Sequence, residues 1–159
     1  MFKTNVMRIL DRAKIPYESF SYSETLTEGV LIAGALGQDS RKVFKTLVTE
    51  AGDGQHYVFV IPVAETLDLK AAARAAGTKS VSMLKQKELL PLTGYIHGGC
   101  SPVGMKKPFK TVIDSSALNL EEFCVSAGKV GYQVKLSPKA LAEFIGAGFA
   151  DITVKTDSQ

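Results

Sequence analysis

The chain has 159 residues, a mass of 17.1 kDa and a formal net charge of +3. This length is that of one domain, and 45% hydrophobic with 22% charged residues is typical of a globular fold rather than a disordered chain. No stretch of about 18 residues is apolar enough to cross a membrane, and no apolar run follows the charges of the first eight residues, so we expect neither a membrane span nor a secretory signal. Two cysteines, Cys100 and Cys124, cannot form a disulfide framework, which favours a reducing cytoplasm.

The first half of the chain mixes helical and strand patterns. Apolar residues spaced at i, i+3, i+4 and i+7 predict the first helix, which Pro16 ends. Two β-branched runs flank a glycine-containing turn and predict a hairpin. The predicted helices cover 4–14 and 27–36, and the predicted strands cover 17–22, 43–50 and 57–63.

The second half continues in the same mixed order. The predicted helices cover 68–76, 85–90 and a last segment that starts at Ser137-Pro138; the predicted strands cover 79–83, 95–97, 109–114, 123–126 and 132–136. Because neighbouring strands are grouped rather than alternating strictly with helices, we expect an α/β domain of the α+β type. Its sheet should be mixed and mostly antiparallel with flanking helices, in a single compact domain over 1–159.

Positive charge is concentrated in three blocks that contain no acidic residue. Eleven of the nineteen basic residues lie in 41–49, 69–87 and 97–113. If the fold brings these blocks together, they form a surface that attracts phosphate backbones. The alternative is a set of separate, solvated lysines.

A glycine-rich segment, 94–107, is the most informative motif of the chain. Glycines after a strand allow backbone N–H groups to approach an anion or a developing oxyanion. A second glycine-containing turn, 126–131, resembles a loop that lines a pocket. The spacing fits neither a P-loop nor a dinucleotide fingerprint, so no nucleotide cofactor is indicated.

Other chemistry is weakly supported. Cys100 beside His97 suggests a nucleophile and its base, but residues i and i+3 of a strand point to opposite faces. Two cysteines and two histidines lack the paired spacing of a zinc site, so we expect no metal. Lys45 lies inside the apolar strand run 43–47 and points either to solvent or into a cleft for an anionic ligand.

Six ordered segments carry a resemblance to a known family. They are 43–48 (VFKTLV), 62–63 (PV), 67–70 (LDLK), 93–95 (TGY), 98–107 (GGCSPVGMKK) and 125–128 (VSAG). Through them the chain resembles, over nearly its whole length, the YbaK/EbsC family of free-standing cysteinyl-tRNA(Pro) deacylases, relatives of the prolyl-tRNA synthetase editing domain.

The resemblance implies a curved mixed sheet and removal of cysteine from mischarged tRNA(Pro), with no cofactor. It implies that the thiol of the substrate attacks its own ester, so that no protein nucleophile is needed, and it implies a transient complex with prolyl-tRNA synthetase. It implies catalytic roles for Lys45, Gly98 and Gly99. The implied substrate-binding residues are Tyr22, Thr46, Ser101, Ser126, Gly128, Lys106 and Lys107.

Two positions depart from the family pattern. Glu28 stands where the family often has an aromatic residue, and Gln133 where it often has an aspartate. These departures concern amino-acid selectivity and the contacts around the adenosine. Two other functions stay open: water-mediated hydrolysis of another mischarged tRNA such as Ala-tRNA(Pro), and a non-catalytic module that binds tRNA or a synthetase.

Overall fold

The computed structural model describes residues 2–26 and 28–155, which form five α-helices, eight strands and two short 3-10 helices. The α-helices are α1 (Asn5–Arg12), α2 (Gly29–Ala35), α3 (Leu69–Ala76), α4 (Gln86–Thr93) and α5 (Pro138–Ile145). The strands are β1 (Glu18–Ser21), β2 (Phe44–Ala51), β3 (His56–Pro62), β4 (Val81–Met83), β5 (Lys110–Asp114), β6 (Phe123–Ser126), β7 (Tyr132–Leu136) and β8 (Gly148–Ala150). The 3-10 helices are Ser40–Lys42 and Ser115–Asn119.

Side-chain caps explain where three of the helices begin. The Thr4 hydroxyl accepts the Met7 N–H ahead of α1, and the Ser137 hydroxyl accepts the Ala140 N–H ahead of α5. The Asp68 carboxylate accepts the Lys70 and Ala71 N–H groups in the first turn of α3. In contrast, α2 begins after Glu28, whose side chain makes no capping hydrogen bond.

The strands form two sheets. A five-stranded mixed sheet has the order β4-β2-β3-β5-β8, with β5 parallel to both of its neighbours. A three-stranded antiparallel sheet has the order β1-β7-β6. A parallel bridge between Val43 and Cys124 joins them, and the Phe44 and Phe123 rings meet edge-on with centroids 4.9 Å apart.

The central strand β3 divides the core into two layers. Val58 and Val60 face the larger apolar cluster, which also contains residues of α1, α5 and the three-stranded sheet. Phe59 and Ile61 face the second cluster, which packs under α3. Because side chains alternate along a strand, a continuous apolar run such as β3 is buried on both faces.

The fold confirms the predicted mixed α/β class and most of the predicted elements. Three features differ from the prediction. The strands form two sheets rather than one, the predicted strand 95–97 is irregular and leads into a turn at 97–98, and β8 was not predicted. Thr27, the first residue of the predicted second helix, lies outside the described residues.

The backbone at Gly128 generates a testable prediction. Its φ is +87°, and a Cβ there would lie 2.8 Å from Val6 Cγ2. We expect Gly128→Ala to lower the free energy of unfolding by about 2–4 kcal/mol, from strain together with overpacking. Gly146→Ala is the matched control, because its φ is +71° and no atom lies within 4 Å of the added Cβ. Urea unfolding should show a clearly smaller loss for the control, and equal losses would contradict the packing argument.

Candidate active site

A cavity of about 380 Å³ is lined by residues from both sheets. Its walls combine the first half of β2, the start of α2, the turn after Ile96 and the ends of the three-stranded sheet. The lining residues are Tyr22, Glu28, Gly29, Val30, Ile32, Val43, Phe44, Lys45, Thr46, Leu47, Val63, Leu89, His97, Gly98, Cys100, Val125, Ser126 and Gln133.

The pairing of β2 explains why a cavity opens here. β4 pairs with β2 only over Thr49–Ala51, so the segment 44–47 has a strand neighbour on one side alone. Thr46 lies in this segment, and its buried hydroxyl has no hydrogen-bond partner among the described residues. A half-free strand edge with an unused hydroxyl offers polar groups to a ligand.

Lys45 is the cation of this wall. It is half-buried, and within residues 2–26 and 28–155 its ammonium group forms no salt bridge. Burial lowers the pKa of Lys45 below its ordinary value, while the Glu65 carboxylate acts in the opposite direction. A partly desolvated cation without an ionic partner is costly to the fold, and such groups mark functional sites.

The turn 97–100 contributes His97, Gly98 and Cys100 to the cavity that Lys45 also lines. Gly98 has φ +89°, and Gly99 donates its N–H to the Ile96 carbonyl at 3.0 Å. Among the hydrogen bonds of the described residues, none uses the N–H of Gly98 or Cys100. The N–H groups on either side of Gly99 therefore have no hydrogen-bond partner among the described residues, and both Gly98 and Cys100 line the cavity.

The buried Tyr95 side chain packs next to this turn. Its hydroxyl donates to the Val103 carbonyl at 2.5 Å, and burial raises the pKa of Tyr95 to about 12. A Cβ on Gly104 would lie 2.8 Å from that hydroxyl, and one on Gly128 would lie 3.0 Å from the ring. The two glycine turns thus pack against one buried side chain.

Tyr22, Ser126 and Gln133 contribute further polar side chains to the cavity lining. Ser126 accepts the Gly128 N–H at 3.1 Å, and burial raises the pKa of Tyr22. Gln133 is buried, and its side-chain oxygen accepts a hydrogen bond of 2.5 Å from Gln38. Gln38 follows the C-terminal end of α2, so this bond ties α2 to β7. No sequence pattern identifies Gln38, because its partner lies 95 residues away.

The structure brings together five of the residues that the resemblance implied. Lys45, Thr46, Gly98, Tyr22 and Ser126 line the same cavity.

The other five lie outside the cavity lining. Gly99 is buried where an added Cβ would lie 3.0 Å from the Val130 nitrogen. Ser101 is fully buried and accepts the Val103 N–H. Gly128 donates its N–H to the Ser126 hydroxyl. Lys106 and Lys107 are exposed on the outer surface, with the Lys106 ammonium 3.4 Å from the Pro91 carbonyl.

The Cys100–His97 pair lacks the properties of a nucleophile and its base. Both residues line the cavity, but Cys100 is buried and His97 is exposed. Burial raises the pKa of the Cys100 thiol to about 12, which suppresses the thiolate needed for attack. Residues 2–26 and 28–155 contain no cluster of three or more histidines, cysteines and carboxylates able to hold a metal ion.

The three basic blocks are only partly joined. Lys110 donates to the Ala76 carbonyl at the end of α3, which connects the second and third blocks. In the first block, Arg41 pairs with Asp39 and holds the pKa of that carboxyl at about 2.

A second cavity, of about 530 Å³, is lined by both acidic and basic residues and by none of the implied site residues. In the part of the chain that the structure covers, no helix has the length and apolarity that a membrane span requires.

Comparison with known proteins assigns the class of this domain. Residues 30–144 match the family described as the aminoacyl-tRNA editing domain. The chain therefore belongs to the aminoacyl-tRNA editing domain family, which confirms the resemblance seen in the sequence.

Particular relatives refine this assignment. The chain is 44% identical over 155 residues to EbsC of Enterococcus faecalis, provisionally named a Cys-tRNA(Pro)/Cys-tRNA(Cys) deacylase, covering 96% of this chain and 94% of EbsC. It is 32% identical over 63 residues to a proline–tRNA ligase of Burkholderia orbicola, covering 40% of this chain and 11% of the ligase. A crystal structure provisionally described as a trans-editing enzyme for prolyl-tRNA synthetase shares the fold. Its TM-score is 0.81 at 23% identity, over 98% of this chain and all of that chain.

Thiol reactivity tests whether burial keeps the two cysteines protonated and unreactive. Burial raises the pKa of Cys100 to about 12 and that of Cys124 to about 11. At pH 8 a thiol of pKa 12 is ionised in about one molecule in ten thousand, so we expect iodoacetamide to alkylate native Cys100 very slowly. Mass spectrometry follows the reaction, and guanidinium-unfolded protein is the control that should react rapidly at both positions. Rapid labelling of the native protein at Cys100 would show an accessible, activated thiol instead.

Proposed function

We propose that this chain is a trans-editing deacylase that removes cysteine from mischarged Cys-tRNA(Pro) and thereby protects translation fidelity. The observation that carries the proposal is one cavity lined both by Lys45, a cation without an ionic partner among the described residues, and by a glycine turn in which the Gly98 and Cys100 N–H groups have no partner there. The similarity to EbsC over nearly the whole chain supports the substrate class. The whole chain, 1–159, acts as one domain in this proposal.

The proposed chemistry uses the thiol of the substrate. Its sulfur forms a bond to the ester carbonyl carbon of the same cysteinyl group, and the bond from that carbon to the tRNA 3′ oxygen breaks. The thiol proton ends on the departing oxygen, which leaves uncharged tRNA and a cyclic thioester. This route needs no protein nucleophile, which agrees with the raised pKa of Cys100.

The protein supplies placement and charge stabilisation. The N–H groups of Gly98 and Cys100 stabilise the oxyanion that forms on the carbonyl oxygen, and Gly99 keeps the turn compact. Lys45 binds a phosphate or ribose oxygen at the tRNA 3′ end and aligns the ester with this turn. Tyr22, Thr46 and Ser126 line the space for the amino acid. Ser101 and Gly128 maintain the two turns.

The partners follow from the substrate. The exposed pair Lys106 and Lys107 contacts the tRNA backbone outside the cavity. A transient complex with prolyl-tRNA synthetase delivers the mischarged tRNA, a proposal supported by the partial similarity to a proline–tRNA ligase. The activity takes place where tRNA is charged, in the cytoplasm.

A panel of mischarged tRNAs tests the function. Purified protein is incubated with Cys-, Ser- and Ala-tRNA(Pro), with and without prolyl-tRNA synthetase. We expect release of cysteine but not of serine or alanine, because only the thiol attacks its own ester efficiently. Release of alanine or serine would favour attack by water, and no release from any ester would leave a non-catalytic binding module.

Lys45 provides the sharpest prediction. Lys45→Met keeps the aliphatic stem and removes the ammonium group, so we expect at least about 100-fold slower single-turnover deacylation. The melting temperature should not fall. Since burial lowers the pKa of Lys45 in the folded state, the unfolded state binds more protons between the two pKa values, and the charge lowers stability at neutral pH.

Lys139→Met is the control for this variant. Lys139 is exposed on α5 and lines neither cavity. Its rate and melting temperature should match those of the unmodified protein. A near-normal rate for Lys45→Met would remove Lys45 from the active site.

Salt dependence tests the role of the exposed lysines. Replacing Lys106 and Lys107 by Gln should reduce the slope of log affinity for tRNA against log salt by about 2 if each contacts one phosphate. The matched double variant Arg8→Gln with Lys139→Gln changes two exposed cations outside the basic blocks and should leave the slope unchanged. Fluorescence anisotropy with labelled tRNA measures both, and equal slopes for the two double variants would assign Lys106 and Lys107 to solvent.

A further inference from the structure

The cavity contains one negative charge whose role the proposed function does not explain. Of the described residues that line it, Glu28 and Lys45 carry the formal charges at neutral pH. They come from different walls, since Glu28 directly precedes α2 and Lys45 lies in β2. The cavity therefore offers one carboxylate and one ammonium group to a ligand.

The carboxylate of Glu28 has no structural task among the described residues. Glu28 occupies the N-cap position of α2 without making a capping hydrogen bond, whereas Thr4, Asp68 and Ser137 cap their helices. It is exposed, and it takes part in none of the salt bridges within residues 2–26 and 28–155. Glutamate is also not among the side chains favoured at N-caps. Neither helix capping nor ion pairing therefore accounts for a glutamate at this position.

The substrate class of the proposed function carries the complementary charges. An aminoacyl ester of tRNA has an α-ammonium group beside the ester carbonyl and phosphates on the nucleotide side. Lys45 suits the anionic side. Building on the proposed function, we propose that the Glu28 carboxylate binds the α-ammonium group of the aminoacyl ester and makes the site selective for esters with a free amine.

This contact has a consequence for specificity. Esters whose amine is acylated, as in peptidyl-tRNA, carry no cation to pair with Glu28 and leave its carboxylate without a partner. Because Glu28 is exposed, the expected effect is moderate, about 3- to 10-fold in affinity, as for a solvent-accessible ion pair. Glu28 is in this view a substrate-binding residue that positions the amino acid and takes no part in bond breaking.

A cycle of two ligands and two proteins tests the contact independently of cleavage. The first ligand is 3′-deoxy-3′-(L-seryl)amino-adenosine 5′-phosphate, which has an amide in place of the ester and a free amine. The second is its 3-hydroxypropionyl counterpart, which differs only by loss of the amine. Dissociation constants for both are measured by calorimetry with the unmodified protein and with Glu28→Gln.

We expect Glu28→Gln to weaken binding of the amine ligand by about 3- to 10-fold and to leave binding of the desamino ligand unchanged. Glu24→Gln is the matched control, because Glu24 is an exposed acid in the same loop that does not line the cavity. It should change neither constant. A purely structural role of Glu28 would weaken both ligands equally, and this result would overturn the proposal.

The remaining outcomes are also decisive. Equal affinity of Glu28→Gln and unmodified protein for the amine ligand would overturn the proposal, as would failure of the unmodified protein to bind either ligand. If the amine-dependent loss is found but Cys-tRNA(Pro) is not cleaved, the contact stands and the deacylase function fails. If Cys-tRNA(Pro) is cleaved without any amine-dependent loss, the function stands and the contact fails.

Discussion

The buried ring of Tyr95 lies between two glycine turns, and their positions depend on it. Its hydroxyl donates to the Val103 carbonyl, and a Cβ on either Gly104 or Gly128 would approach it to within about 3 Å. Overpacking at such a contact costs on the order of 1–3 kcal/mol, so both turns are restricted to one arrangement. One turn contributes Gly98 to the cavity wall, and the other contributes Ser126. A side chain that does not line the cavity therefore restricts both turns that do.

The second constraint is the cost of Lys45. Its ammonium group is half-buried without an ionic partner among the described residues, and its lowered pKa reports the loss of hydration. Such a charge opposes folding, so the strands around it must gain their stability elsewhere. They do so because β3 is almost wholly buried and because β2 pairs with β3 along the full length of β3. The negative charge of a bound tRNA end would offset the desolvation of Lys45. The site thus exchanges some stability for affinity.

The start of α2 and the residue before it form the wall of the cavity that contains its only described carboxylate. This wall contains Glu28, and the hydrogen bond from Gln38 links its far end to Gln133. Glu28 and Gln133 are also the two positions at which we expect the sequence to depart from the family pattern. With no protein nucleophile in the proposed mechanism, discrimination among esters depends on how this wall positions the amino acid. A site of this kind achieves selectivity through geometry and charge placement rather than through additional catalytic groups.

Local patterns in the sequence were sufficient for several conclusions. The periodicity of apolar residues identified the helices and nearly all strands, and turn chemistry identified the hairpin after β2. Lys45 was recognisable because a charge interrupts an apolar strand run, and the glycine turns were recognisable because few other residues adopt their backbone angles. The family resemblance then connected these segments to one activity. Each local pattern is contained within about ten residues, and the family resemblance needs only the order of six such segments along the chain, which is why the sequence alone carries both.

Other features depend on residues that are distant in sequence. Division of the strands into two sheets, addition of β8 and loss of the predicted strand 95–97 all follow from which strands find partners, and local propensity does not encode partner choice. The same holds for the site: convergence of Tyr22, Lys45 and Ser126 in one cavity and the bond from Gln38 to Gln133 are results of packing. The sequence by itself thus determined the family, the mixed α/β class and most of the elements, and it predicted a set of candidate site residues. Only the tertiary structure decided which of them face one another, because burial and hydrogen-bond partners are properties of the assembled chain.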